Sequence, residues 1–184
     1  MGALRRALLV GGLVVSAGVP GHAAQYPVAL AVDAQVKSGA TAITSKLTIR
    51  VDRLMEESRR VRVTDALKFG GYANALNTLR ALPAVGMIQL EKRQVDIRYA
   101  REQGEATKGR RLLLIADRPL FFLSGDPKKP RAGYELTVVD LQIDEQGGVS
   151  GTMNGAARVK PSPDGVVLDD FADVEVQLTG RVTP

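Results

Sequence analysis

The stretch Ile43-Thr44-Ser45-Lys46-Leu47-Thr48-Ile49-Arg50-Val51-Asp52 alternates apolar and polar residues with a period of two. One face carries Ile43, Leu47, Ile49 and Val51; the other carries Thr44, Lys46, Thr48, Arg50 and Asp52. Only an extended strand places alternate side chains on opposite faces, so this pattern predicts an antiparallel strand with a core on one side and water on the other. The same alternation recurs along the chain. Residues 26–36 read as a partner strand, with Lys37-Ser38-Gly39-Ala40 as the hairpin. Residues 84–90 and 95–101 read as a second hairpin turning at 91–93, with Val95, Ile97 and Tyr99 facing one way and Asp96, Arg98 and Ala100 the other. Residues 134–144, 149–159, 166–168 and 174–178 supply further strands.

One segment departs from this rule. Between 64 and 82, Tyr72, Leu76, Leu79 and Leu82 fall on one helical stripe, with Thr64 or Asp65 as N-cap and Pro83 just past the end. Gly70-Gly71 weakens the middle by ~1 kcal/mol per glycine relative to alanine, so a kink or two pieces are expected there. Two other stretches are apolar on both faces: Leu112-Leu113-Leu114-Ile115, and Leu120-Phe121-Phe122-Leu123 after Pro119. A strand without a polar face must be covered on both sides, and the helix is the one evident cover. On that reading the phenylalanine doublet is core, with Phe121 inward and Phe122 outward. Leu136 and Val138 fall on one parity and Val139, Leu141 and Ile143 on the other, so a bulge is expected near Val138.

The fold these patterns predict is mainly β: a curved antiparallel sheet or flattened barrel of about eight to ten strands, closed to avoid exposed edges, with one helix between the second and third strands packed on it. A β-sandwich with a peripheral helix is the alternative. No linker divides residues 25–184, so they are expected to form a single domain.

The first 24 residues have a different character. Arg5 and Arg6 precede an apolar run from 7 to 19, and Gly21-His22-Ala23-Ala24 supplies small residues. This is the layout of a secretory signal peptide cleaved after Ala23 or Ala24; the run is shorter than the ~20 residues that span a bilayer. The arginine pair also fits a twin-arginine signal, although general secretion is the preferred reading. The mature protein is then expected in the periplasm or outside the cell.

Cleavage would remove His22, the only histidine, and the chain has no cysteine. No Ser-His-Asp or Cys-His nucleophile and no zinc site with nitrogen and sulfur ligands is then available. No catalytic residue and no cofactor is expected. The signal takes two of the 25 Lys and Arg and none of the 20 Asp and Glu, leaving 23 against 20, a net charge of +3. Aromatic residues are only 4% of the chain, which argues against stacking on nucleic acid. No membrane span is expected after cleavage.

Candidate functional residues fall into three groups. Phe121, Phe122, Tyr134 and Met153 would line a pocket for a lipid or other small hydrophobe, the last in a strand (149–159) rich in small residues that leave room above a sheet. Arg59, Arg60 and Arg62 form the densest basic run and would meet phosphate or another anionic surface. Asp169, Asp170 and Asp173 are the densest carboxylates and would suit Ca²⁺, although an EF-hand spacing is absent. The predicted role is an exported, non-enzymatic domain holding a small apolar or amphipathic ligand; the alternative is a structural or protein-interaction module of the cell envelope without a pocket.

The stretches ADRPLFFL, RAGYE, GTMNGAARVKP and LDDFA resemble segments of exported bacterial β-rich proteins that have no assigned function. The resemblance covers most of the region after Arg111. It implies export and transfers no site residue.

Overall fold

The computed structural model describes residues 26–38, 41–103, 109–123 and 125–183. The expected signal segment and its cleavage site, the tip of the first hairpin, and residues 104–108 of the expected polar turn lie outside them. Nine strands and one helix follow in the order β1 (Val28–Ser38), β2 (Thr41–Val51), α1 (Glu57–Arg80), β3 (Gly86–Leu90), β4 (Arg93–Gln103), β5 (Arg110–Ala116), β6 (Leu136–Ile143), β7 (Gly148–Ser162), β8 (Gly165–Phe171) and β9 (Glu175–Thr183).

All pairings are antiparallel, in the order β6-β5-β4-β3-β2-β1-β9-β7-β8. Residues 148–154 of β7 pair with β9 on one side, and β7 also pairs with β6, which closes eight strands into a barrel. Closure satisfies the backbone groups that an open sheet would leave at its edges. Residues 157–162 of β7 run on beyond β9 and pair with β8.

Two apolar clusters follow from this geometry. Inside the barrel, Leu30, Leu47, Ile49, Ile88, Leu112 and Leu141 are fully buried. Outside it, α1 covers the outer face of β5, β6 and the β7–β8 extension. Strand β5 belongs to both: Leu112, Leu114 and Ala116 point into the barrel, Leu113 and Ile115 under the helix. The expected cover for the two-sided strand is therefore α1. The remaining exterior is polar; Asp33, Lys46 and Arg50 of β1 and β2 point outward, as do Glu175, Gln177 and Arg181 of β9. A bilayer-spanning barrel has the opposite arrangement, apolar outside. No helix among the described residues is long and apolar enough to cross a membrane.

The helix starts earlier than its sequence pattern suggested, at Glu57 instead of Thr64. Buried Met55 fixes the approach, its N–H donating to the Ala100 carbonyl at 2.9 Å. Thr64 is not a cap; its hydroxyl donates back to the Arg60 carbonyl at 2.9 Å, one turn earlier. The expected break falls at Gly71, whose φ of 74° and ψ of −178° are non-helical. Tyr72, Leu76, Leu79 and Leu82 pack in the outer cluster as the stripe implied.

Three expectations about facing are corrected. The register of β4 against β5 shifts between Ile97 and Tyr99. This irregularity reverses the parity: Val95 and Ile97 point into the barrel, whereas Tyr99 lies in the outer cluster under the helix. On β6, both parities are buried because both faces are covered, Leu136 and Val138 by the outer cluster and Val139, Leu141 and Ile143 by the lumen. The one extra residue lies on the partner strand β7, where Gly155 and Ala156 together stand opposite Thr137.

The phenylalanine doublet is the third correction. Residues 117–123 form no strand. Pro119 has no N–H for a ladder, and the segment instead crosses one end of the barrel. Leu120 N–H donates to the Gly155 carbonyl at 2.8 Å, Phe122 N–H to Asp173 Oδ2 at 3.1 Å, and Arg93 to the Phe121 carbonyl at 2.6 Å. Those partners sit on β7, before β9 and on β4, well separated around the ring. Leu120 and Phe122 plug the lumen, while Phe121 is half-buried. The inward ring is thus Phe122, not Phe121.

The plug depends on the small residues of β7. A Cβ on Gly155 would stand 2.2 Å from the Leu120 carbonyl oxygen, a backbone atom that cannot swing aside. Gly155→Ala is expected to cost about 1–3 kcal/mol by forcing the crossing segment away from the wall. Urea unfolding followed by circular dichroism measures it; an unchanged midpoint would mean that the segment is not seated on β7.

Candidate functional site

The parity change in β4 has a chemical consequence. Beyond it, Ala100 faces the lumen and Arg101 lies on the helix side, beside Tyr99. Arg101 is only 6% exposed. No carboxylate among the described residues lies within ion-pairing distance of its guanidinium. Among the described residues its guanidinium's one polar contact is the side-chain carbonyl of Gln103, two residues on, with Nε at 3.0 Å when the amide is oriented to accept. An ionised group buried without a counter-charge is costly, and arginine cannot relieve the cost by losing its proton.

Arg101 lines a groove of about 730 Å³ between the first half of α1, the ends of β4 and β5, and the β7–β8 turn. Helical spacing directs Arg60, Thr64 and Lys68 into it from α1. Arg60 is half-buried, and its Nε is shielded from water without a hydrogen-bond partner among the described residues. Arg101 and Arg60 thus form a cationic floor. Two other charged groups along the groove are already engaged. Arg111 forms a double contact with Asp140 at 2.8 and 2.6 Å. Glu102 accepts from the Tyr26 hydroxyl at 2.9 Å and pairs with Arg110 at 3.3 Å. That triad, with the Arg110 guanidinium 5.3 Å from the Tyr26 ring centre, sits at the barrel end opposite the plug.

The other sequence candidates do not gather here. Phe122 and Met153 belong to the lumen core. Tyr134 lies outside the barrel, its ring flanked by Arg131 and Arg158 at 4.7 and 5.3 Å, its hydroxyl donating to Asp170 at 2.6 Å. None of Phe121, Phe122, Tyr134 and Met153 lines the groove or the two small depressions of about 10 Å³ beside α1. The three aspartates diverge. Asp169 pairs with Arg158 at 3.0 Å and Lys160 at 3.4 Å, Asp170 binds Tyr134, and Asp173 holds the Phe122 amide. Among the described residues no group of three His, Cys, Asp or Glu is placed to hold a metal ion. Of the basic run, Arg59 pairs with Glu56 at 3.2 Å, Arg62 is exposed, and only Arg60 turns into the groove.

Arg101 was not singled out from the sequence. The signal that marks it is its parity: strict alternation from Val95 puts a charged residue on an apolar face, which makes sense only if the face changes. No protein-family model, curated protein or solved structure matches the chain.

All four tyrosines have raised pKa values. Burial and the bond to Glu102 push Tyr26 up to about 12. Burial lifts Tyr72 and Tyr99, and donation to Asp170 lifts Tyr134. A group whose folded pKa is raised stabilises the fold fully below its unfolded pKa, near 10, and loses that contribution as pH climbs through the folded value. Tyrosinate absorbance is therefore expected to stay low through pH 10 and to rise together with the loss of β-sheet ellipticity above it. A full tyrosinate signal at pH 10 with the sheet intact would contradict these environments.

Proposed function

We propose that this chain is an exported, non-enzymatic domain that binds a small amphipathic ligand by its anionic head, in the groove between α1 and the barrel. The observation that carries the reading is Arg101: a nearly buried guanidinium without a carboxylate partner among the described residues, opening onto a groove. A bound anion would supply the missing counter-charge. Guanidinium–phosphate and guanidinium–carboxylate contacts are short, charge-assisted and directional. Val61, half-exposed on the groove wall, offers an apolar surface for the remainder of such a ligand. A lumen ligand is less well supported, because large side chains fill the barrel and Leu120 and Phe122 close one end.

A second reading is a protein-interaction module of the cell envelope. It rests on β8, the terminal strand of the sheet order, which among the described residues pairs only with β7. An unpaired strand edge is a template for a partner strand. Its Asp169 and Asp170 are charges of the kind that discourage such pairing, which favours the groove.

The groove reading makes an unusual stability prediction. Arg101→Met keeps the apolar stem and removes the charge. In buffer without phosphate or carboxylate, the variant is expected to be as stable as the parent or more so, because a buried unpaired charge has gone. Octyl phosphate is expected to raise the melting temperature of the parent, as any ligand of the native state does, and to leave Arg101→Met unmoved. Equal stabilisation of both proteins, or of neither, would contradict the reading.

Export rests on the sequence alone, on Arg5, Arg6 and the apolar run that follows. N-terminal sequencing of the protein from the native host checks it. A start at Ala24 or Gln25 in a periplasmic or extracellular fraction is expected; an intact Met1 or Gly2 on cytoplasmic protein would contradict it.

A further inference from the structure

The groove is polarised as well as charged. Its floor is cationic, Arg60 and Arg101; its rim carries three exposed carboxylates, Glu57 and Asp65 on α1 and Asp164 in the β7–β8 turn. Among the described residues, none of the three makes an ion pair or a hydrogen bond through its side chain. With Lys68 as the one uncommitted rim cation among the described residues, these side chains give the rim net negative charge above a positive floor. A simple anion would satisfy the floor and be repelled on its way past the rim. A molecule with an anion at one end and a cation at the other satisfies both.

We propose that the groove recognises a phosphate ester bearing an ammonium group, with phosphate on Arg60 and Arg101 and the ammonium among Glu57, Asp65 and Asp164. This rests on the anion reading above and narrows it. Phosphate is preferred to carboxylate because two guanidiniums offer more N–H donors than one carboxylate can accept, and a phosphate presents three strong acceptors. The rim contribution is modest for each exposed carboxylate, since solvent screens such pairs. Together the three are expected to favour the ammonium-bearing ester about tenfold. The same chemistry occurs in a free ester and in a lipid headgroup.

The test is calorimetric titration of the full mature chain with O-phosphoethanolamine, glycerol phosphate and inorganic phosphate. The expected order places O-phosphoethanolamine about tenfold tighter than glycerol phosphate. Replacing the rim by Glu57→Gln, Asp65→Asn and Asp164→Asn together should erase that preference while keeping glycerol phosphate binding, and Arg101→Met should abolish binding of both. Glycerol phosphate binding as tightly as O-phosphoethanolamine would overturn the zwitterion proposal and leave the anion site standing. Absence of binding by all three would overturn the anion site itself. Flotation with phosphatidylethanolamine vesicles, compared with phosphatidylglycerol vesicles, separates the sources. Selective co-flotation supports a lipid head, and titration without co-flotation supports a free ester. A preference for phosphatidylglycerol would overturn the proposal.

Discussion

A strand that is apolar on both faces cannot exist at a water-exposed surface. Strand β5, with Leu112 and Leu114 toward one side and Leu113 and Ile115 toward the other, imposes that constraint at the centre of this molecule. One face is covered by closing the sheet into a barrel. The other is covered by α1, whose stripe from Val63 to Leu79 is spaced to lie along it. The flanking strands must then serve both layers. Strand β7 does so by running on from the barrel wall to lie under the helix, and β4 by a register shift that turns Tyr99 outward under α1 while Ala100 still faces the lumen. Packing thus dictates where the backbone departs from regularity, and those departures position the groove.

The parts of this design set by local pattern were legible in the sequence. The alternation of residues 43–52 marked a half-buried strand, the stripe 72–82 marked the helix, and Gly70-Gly71 marked its break. The two-sided leucine run announced a second layer. What escaped depended on partners far along the chain. Closure itself was expected, but not which strands achieve it: β6 pairs with β7 and β1 with β9, and no residue in one strand names its neighbour. The crossing segment 117–123 resembles a strand until Gly155, Arg93 and Asp173 supply its hydrogen bonds from around the ring. The basic run 59–62 was legible as charge; that only Arg60 faces the groove follows from the helix starting at Glu57.

The candidate site has an energetic logic that its chemistry alone would not reveal. Exposed ion pairs such as Arg50–Asp52 and Arg158–Asp169 are screened and contribute little. Buried Asp117 is matched by Arg98 at 3.1 Å, and that pair ties β4 to the chain after β5. Arg101 differs from both: it is buried like Asp117 but lacks an opposite charge among the described residues. A chain able to place Asp140 against Arg111 and Glu102 against Arg110 leaves this one guanidinium facing open volume. On the proposed function, Arg101 is one half of an interaction whose other half arrives as ligand.

That claim can be watched at the atom concerned. Nitrogen-15 spectra of the arginine side chains resolve individual Nε–H groups, and the Arg101 signal can be assigned with the Arg101→Met variant. On addition of phosphate ester, the account predicts saturable shifts confined to Arg101 and Arg60, with Arg98 and Arg111 unmoved in their existing ion pairs. Shifts spread evenly over all arginines, or an Arg101 signal indifferent to the ester, would contradict it.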